Sequence, residues 1–192
     1  MIKFGNDIVT VGGDWLKVIP KAVKIAEYPL QQITIPANYG YREIFSNVQI
    51  TESNYAVLKV DCTEINGALL MALFASSTIV TIDVASGSRQ QLNFTDANLR
   101  NLVAYDGTVS GKVITLSNWH IINRIIFDFV ERKVHFYDTN NVIIADANMA
   151  GGTTRYTPLG IRLIDPDSSN QTICKVAGTI WQCFTMEQAL SV

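Results

Sequence analysis

Four tyrosines carry the side chains best suited to binding chemistry: Tyr39, Tyr41, Tyr105 and Tyr156, all in loop-like sequence. Each has an Asn, Asp or Arg as a direct neighbour in the chain. Aromatic rings stack on apolar ligand faces while polar side chains bond hydroxyl groups, a combination typical of small-molecule sites. The pattern predicts a sugar-binding platform. The alternative is that the rings cover the ends of a sheet and keep only their hydroxyls in water.

No set of residues predicts catalysis. Hydrolysis by two carboxylates needs the pair close together, and the nearest approach, Asp128-x-x-Glu131, runs from a strand into a turn. The glycine-rich stretch 107–112 is one residue short of a phosphate-binding loop, and Val113 follows where a hydroxyl is needed. We therefore predict that the chain has no catalytic residues and is not an enzyme.

Metal ligation is predicted at no position, because His120 and His135 are the only histidines and no zinc-type spacing occurs. The loop 165–170 has oxygen-bearing side chains at alternating positions, as calcium loops do. It lacks the glycine and the final glutamate of such loops. We expect no cofactor, and calcium in this loop remains open as an alternative to a solvated turn.

Charge and composition limit the partners of the chain. A formal charge of −2 and a pI near 5.6 provide no basic field for nucleic acid or anionic membranes. The start of the chain lacks the apolar core of a secretory signal, so we expect synthesis in a cytoplasm. An odd number of cysteines (Cys62, Cys174 and Cys183) suits free thiols better than a disulfide framework.

The elements that must position these residues are strands. The clearest run is 119–146, where apolar residues alternate and two turns, at 130–133 and 139–141, reverse the chain. Alternation places Ile125, Phe127 and Phe129 on one face and Arg124 and Asp128 on the other. The pattern predicts an antiparallel meander whose register is set by its buried face.

Similar strands with turn signals recur from residue 31 to the end of the chain, and helical patterns are rare. One helix is predicted after Thr185, where Thr185 and Gln188 form a capping-box pattern. Regular short strands, each with one apolar face, indicate an antiparallel sandwich or barrel. We predict an all-β fold with two stacked antiparallel sheets and a short N-terminal β segment.

The first thirty residues differ from the rest. They contain three short strand patterns separated by glycine-rich turns, and such small hairpins need a packing partner. We predict an N-terminal attachment segment, 1–30, and a main domain, 31–192. Phe4, Trp15 and Leu16 are the expected apolar anchors of the segment. The alternative is an edge hairpin of the main domain.

The order of features after residue 34 resembles the concanavalin A-like lectin and glucanase jelly roll, including its laminin G-like and pentraxin-like branch. The residues that carry the resemblance are Trp119-His120, Val134-His135-Phe136-Tyr137, Val142-Ile143-Ile144, Pro158-Leu159-Gly160-Ile161, and Gly178–Phe184 with Ala189-Leu190-Ser191. The resemblance implies a two-sheet jelly-roll sandwich and no particular ligand. Hydrolases of this fold carry a Glu-x-Asp-x-x-Glu pattern, and this chain lacks its first glutamate.

The opening residues 1–16 also resemble the starts of tailed-bacteriophage appendage proteins, in which a short N-terminal piece anchors a lectin-like domain to the particle. This likeness implies a virion protein made in the host bacterial cytoplasm, such as a head fibre, a capsid decoration or a tail-associated subunit. Its expected partners are other virion proteins, bound through the N-terminal segment, and further copies of itself in a dimer or trimer. The alternative function is a carbohydrate-binding module for adhesion to a host or surface glycan.

Overall fold

The computed structural model describes residues 2–4, 7–12, 15–51, 53–75, 77–83, 91–94, 102–103, 113–115, 122–138, 140–149, 159–167 and 169–192. Within these ranges the chain forms sixteen strands and one helix, α1 (Met186–Ser191). The strands, in chain order, are β1 (Ile2–Phe4), β2 (Asp7–Gly12), β3 (Trp15–Ile19), β4 (Val23–Ile35), β5 (Tyr41–Val48), β6 (Tyr55–Asn66), β7 (Leu70–Ala75), β8 (Ser77–Asp83), β9 (Gln91–Phe94), β10 (Leu102–Val103), β11 (Val113–Thr115), β12 (Ile122–Asp128), β13 (Lys133–Asp138), β14 (Ile143–Met149), β15 (Leu159–Ile164) and β16 (Thr172–Cys183).

The strands form three sheets. A small sheet has the order β1-β2-β3, a seven-stranded sheet the order β10-β14-β13-β12-β6-β16-β4, and a six-stranded sheet the order β11-β9-β8-β7-β15-β5. Every pairing within these orders is antiparallel. The predicted all-β antiparallel fold is therefore confirmed.

One hydrophobic core joins the two larger sheets. Leu58, Phe127 and Phe136 come from the seven-stranded sheet, and Leu73 and Ile161 come from the six-stranded sheet, all in one buried cluster. Apolar burial of this kind is the dominant favourable term in folding. The two larger sheets form a β-sandwich, as the strand pattern predicted.

The meander predicted in the middle of the chain is present as β12, β13 and β14, which pair in that order. Its inner face contains Ile125, Phe127, Phe129, Val134 and Phe136. Arg124 and Asp128 lie on the opposite face, which we call the outer face of the seven-stranded sheet. Both are nevertheless buried, so the outer face is covered at this point.

Strand β4 crosses the predicted boundary at residue 30, and the division of the chain into two units stays a prediction. The three-stranded sheet ends at Ile19, and β4 begins at Val23 inside the predicted segment 1–30. The first half of β4 pairs with β16, with Tyr28 opposite Gly178 and Val23 opposite Gln182. Residues 23–30 therefore belong to the seven-stranded sheet. The local sequence concealed this because Pro29 reads as the end of a strand, whereas it lies at a bulge between two register blocks of β4.

Helix α1 begins at the predicted position. Thr185 is its N-cap, and its hydroxyl accepts a hydrogen bond from the Gln188 amide. The Gln188 side chain in turn accepts one from the Phe184 amide, which satisfies a second donor near the helix start. Ala189 packs this short helix onto a second small core with Val57, Ile126 and Cys183 on the outer face. Among the described residues no helix has the length and apolar character that crossing a membrane requires.

Candidate functional site

The structure describes two of the four predicted platform tyrosines. Tyr39 and Tyr41 lie at the turn between β4 and β5, and their exposed fractions are 67% and 50%. The guanidinium carbon of Arg162 stands 4.6 Å from the ring centroid of Tyr41, so one face of that ring is already in a cation–π contact. Tyr105 and Tyr156 lie outside the described residues. The four-tyrosine platform stays a prediction.

A cleft of about 390 Å³ opens on the outer face of the seven-stranded sheet, where β4, β6 and β16 meet Val192. Its lining includes Tyr28, Lys59, Asp61 and Trp181. An indole ring, a cation and an anion thus lie around one concave space, while the Tyr28 side chain packs against the main core. This combination suits a small ligand that has an apolar face and several hydroxyl groups.

The cleft arises from the alternation of β16 and its register with β6. Ile180 is buried in the main core, so its neighbours Thr179 and Trp181 lie on the outer face. The indole Nε1 of Trp181 donates a hydrogen bond to Thr179 Oγ1 at 3.0 Å, which fixes the orientation of the ring. The register sets Thr179 opposite Lys59 and Ala177 opposite Asp61. Both charged residues are therefore held beside the tryptophan.

One wall of the cleft is the segment that follows β16. Arg124 holds it in place: its Nη1 donates to Leu190 O at 2.9 Å and its Nη2 to Val192 O at 2.6 Å. Lys59 Nζ also donates to Val192 O, at 3.3 Å. A further bond from Arg124 Nη1 reaches Asn141 Oδ1 at 2.6 Å. Burial lowers the pKa of Arg124, which remains a cation at any physiological pH.

A second polar cluster lies further along the outer face. His135 Nδ1 is 2.5 Å from Asp146 Oδ1, and His135 Nε2 is 3.8 Å from Asp128 Oδ2. Asp128 Oδ1 accepts hydrogen bonds from the amides of Val130 and Glu131, so this carboxylate holds the β12–β13 turn. Each contact of the cluster has a structural role, and the serine or cysteine of a hydrolytic triad is not part of these contacts.

The carboxylates of this cluster also contribute to the raised pKa values of two neighbouring tyrosines, Tyr55 and Tyr137. Burial raises the pKa of Tyr137, and the charge of Asp146 raises it further. Burial likewise raises the pKa of Tyr55, with smaller contributions from Asp128 and Glu131. Both phenols are therefore protonated and neutral at physiological pH.

The three cysteines are free thiols, as predicted. Burial raises the pKa of Cys62 and of Cys183 to about 12, and it also raises the pKa of Cys174. A nucleophilic cysteine needs the opposite environment, one that stabilises the thiolate. These thiols therefore pack as small apolar side chains.

The candidate calcium loop is held by its own main chain. Asp165 Oδ1 accepts from the Asp167 amide at 2.8 Å, and Asp167 Oδ1 accepts from the Ser169 amide at 2.8 Å. The amide of Tyr39 donates to the main-chain oxygen of Asp165, so the loop also supports the tyrosine turn. Among the described residues no group of three or more His, Cys, Asp or Glu side chains is arranged to hold a metal ion. His120 lies outside the described residues.

The cleft residues were not predicted as a site. Trp181 lies in the stretch Gly178–Phe184 that carries the lectin resemblance, and no motif marks Lys59 or Asp61 as a ligand-binding residue. The pairing of β6 with β16 could not be predicted from the sequence, because paired residues of these strands are more than one hundred positions apart. A tryptophan on the polar face of a strand was the one signal that marked the site.

These features define an antiparallel β-sandwich protein with an additional N-terminal three-stranded sheet. No family model and no curated protein matches the chain. Solved structures that it is similar to include viral particle proteins. The T=1 particles derived from infectious bursal virus match at 10% identity, with 97% of this chain and 47% of that chain covered and a TM-score of 0.21. The VP2 subviral particle of infectious bursal disease virus matches at 12% identity, with coverage of 97% and 48% and a TM-score of 0.21.

This chain therefore spans about half the length of the viral chains it matches, at 47% and 48%. TM-scores of 0.21 are too low to indicate a shared topology.

Proposed function

We propose that this chain is a non-enzymatic structural protein of a bacteriophage virion, used as a head fibre, a capsid decoration or a tail-associated subunit. The observation that carries the proposal is the three-stranded sheet β1-β2-β3, which among the described residues shares no strand pairing with the two-sheet sandwich that follows it. An appendage needs one element that binds the particle and one stable domain that projects from it. The resemblance of residues 1–16 to phage appendage proteins supports the same assignment.

The small size of the first sheet supports its role as the attachment element. Among the described residues its three strands, β1, β2 and β3, pair only with one another. A sheet this small needs a packing partner, and we assign that partner to the particle.

The outer face of the sandwich supports a non-enzymatic role. Its buried polar groups are used to hold structure: Arg124 binds the segment after β16, and Asp128 binds the β12–β13 turn. Its thiol Cys183 has a pKa raised to about 12. Groups engaged in this way are poor acids, bases and nucleophiles.

The test is incorporation into particles. Phage particles would be purified from infected cells that express the tagged chain, and the chain would be quantified by mass spectrometry. We expect the full chain in particles and a variant lacking residues 1–19 at background level. A full chain absent from particles would refute the virion role, and equal incorporation of the shortened variant would refute the attachment role.

A matched pair of variants separates attachment from unfolding. Phe4→Ser with Leu16→Ser changes two of the expected apolar anchors, whereas Lys3→Ser with Lys17→Ser changes two charged residues of the same strands, β1 and β3. We expect only the first pair to reduce incorporation. Thermal unfolding of both variants checks that the sandwich is intact, and equal incorporation would contradict the role of Phe4 and Leu16 as anchors.

A second candidate function is carbohydrate binding, which the outer-face cleft favours. Trp181 offers a ring surface, and Lys59, Asp61 and Glu27 offer hydrogen-bonding groups, within one cleft of about 390 Å³. This volume lies within the range typical of small-molecule sites. Such a function is compatible with a virion appendage that binds a host glycan.

A glycan array, read with and without added calcium, tests this second function. We expect Trp181→Ala to abolish any binding and Tyr39→Ala and Tyr41→Ala to preserve it. Loss in the tyrosine variants alone would place the site at the β4–β5 turn. Absence of binding to every glycan would refute the carbohydrate function and leave the virion role unaffected.

A further inference from the structure

The seven-stranded sheet ends at β4, a long edge strand. β4 has thirteen residues, Val23–Ile35, and pairs on one side with β16. An edge strand presents main-chain N–H and C=O groups that can pair with another strand, so soluble proteins usually protect such edges with charges, prolines or bulges. The two halves of β4 differ in this respect.

The first half of β4 is protected. Lys24 and Glu27 form an exposed ion pair, and the register shifts between Ala26 and Lys24 and again between Gln31 and Tyr28, where Pro29 lies. Both bulges and prolines interrupt edge pairing. This half has the features that natural sheets use against open-ended association.

The second half, 30–35, has the sequence Leu-Gln-Gln-Ile-Thr-Ile and no charge. Its pairing with β16 is regular from Gln31 to Ile35. Ile33 and Ile35 are buried in the core, whereas Leu30 is 67% exposed and Gln31, Gln32 and Thr34 are exposed. An uncharged, regular edge segment of high β propensity is the kind that forms strand pairs between molecules.

The edge strand β5, which follows β4 in the chain, provides a comparison. β5 is the last strand of the six-stranded sheet, and it has charged Arg42 and Glu43, two register shifts against β15, and a positive φ of 52° at Asn47. These are protective features of the type absent from segment 30–35. Of the two neighbouring edges, only the second half of β4 is suited to pairing.

We propose that segment 30–35 pairs with the same segment of a second copy of this chain, forming a symmetric dimer with a continuous sheet across the interface. A second copy is the occupant that the segment fits because the segment is neutral, so self-pairing brings no like charges together. Two-fold interfaces of this isologous kind are the commonest in soluble oligomers. The proposal rests on this sheet edge and does not require the virion role.

The alternation of inner-face and outer-face residues in segment 30–35 specifies which residues pair across the dimer. The cores of both copies lie on the same side of the joined sheet only if even-numbered residues pair with even-numbered residues. A two-fold axis at Gln32 gives this pairing. Gln32 then lies opposite Gln32 of the second copy, and Leu30 lies opposite its Thr34. Pro29 and Pro36 stand just outside this paired stretch at either end, and neither has an N–H to continue the ladder. The exposed Leu30 side chain is covered in the dimer.

Introducing a charge at Gln32, on the proposed two-fold axis, tests the dimer. The mass of the purified full-length chain would be measured by light scattering after size exclusion, and sedimentation velocity would follow its concentration dependence. We expect the unmodified chain to be a dimer and Gln32→Lys and Gln32→Glu to be monomers. An equimolar mixture of the two variants should regain the dimer, since opposite charges then meet on the axis. The matched control is Gln171→Lys, an exposed glutamine outside the strands, which should remain dimeric.

Each contrary result overturns the proposal. A monomeric unmodified chain would show that the edge has another partner or none. Dimeric Gln32→Lys would place the interface elsewhere, and a mixture that stays monomeric would exclude the self-contact at Gln32. Circular dichroism confirms that each variant is folded. These measurements use the isolated chain, so they are independent of the chain's presence in particles.

Discussion

Gly178 in β16 lies against the ring of Phe45 in β5, across the interior of the sandwich. A Cβ atom on Gly178 would stand 2.8 Å from Phe45 Cε2 and 3.1 Å from its Cζ, closer than packed atoms approach. The main-chain oxygen of Lys59 would be 3.2 Å away on the neighbouring strand. The absence of a side chain at Gly178 therefore sets how closely the two sheets approach at this point.

Gly178→Ala is expected to destabilise the protein by about 1–3 kcal/mol, the usual cost of overpacking a core. Equilibrium urea unfolding measures the change. Because the clash is with the Phe45 ring, the double variant with Phe45→Leu should lose less than the sum of the single losses. The control is Ala177→Ser on the outer face, expected within about 0.5 kcal/mol of the parent. Additive losses in the double variant would contradict the contact.

Local sequence features were sufficient for the inner face of β12 and for the start of the helix. In β12 the alternation of apolar residues predicted the correct inner face, because a sheet buried on one side imposes a period of two. The start of α1 followed from Thr185 and Gln188, whose side chains bond main-chain groups only a few residues away. These interactions join residues that are close in the sequence, so a local sequence pattern can predict them.

Features that depend on distant pairing were not predictable in the same way. The extent of β4 before Pro29 depends on β16, and the cleft depends on β16 lying between β4 and β6. Arg124 was correctly placed on the polar face of β12, but its burial arises because α1 and the segment after it cover that face. Alternation assigns a face to a residue. It does not say what covers the face.

Arg124→Met is expected to release the segment after β16 and to lower the free energy of unfolding by about 2–3 kcal/mol, since the main-chain oxygens of Leu190 and Val192 lose a charged donor. Urea unfolding gives the stability. Amide hydrogen exchange at residues 186–192 gives the local effect, which should exceed that in β16. The matched control is Arg42→Met at an exposed position, expected to change stability little. Unchanged exchange in the tail of the Arg124 variant would contradict its role as the anchor.

The hydrogen bond between His135 and Asp146 is expected to stabilise the β13–β14 pair. A double-mutant cycle with His135→Asn and Asp146→Asn should give a coupling energy of about 1–2 kcal/mol, in the range for hydrogen bonds to charged groups. Thermal or urea unfolding of the four proteins measures it. Lys133 and Glu131, an exposed ion pair at 3.4 Å, provide the control cycle, with an expected coupling below about 1 kcal/mol. Equal coupling in the two cycles would contradict the special role of the buried histidine.

The raised pKa values of the Cys62 and Cys183 thiols predict a loss of stability at high pH. The pKa of Cys62 and of Cys183 is raised from 9.0 to about 12, so the unfolded chain loses these protons at lower pH than the folded chain does. Their contribution to stability is complete below about pH 9 and is lost as the pH rises towards 12, at about 1.4 kcal/mol per pH unit for each thiol. Urea unfolding of the parent and of Cys183→Ala between pH 8 and 11 isolates one thiol from other titrating groups. The variant should show the shallower decline above pH 9, and parallel curves would contradict the burial of this thiol as the cause.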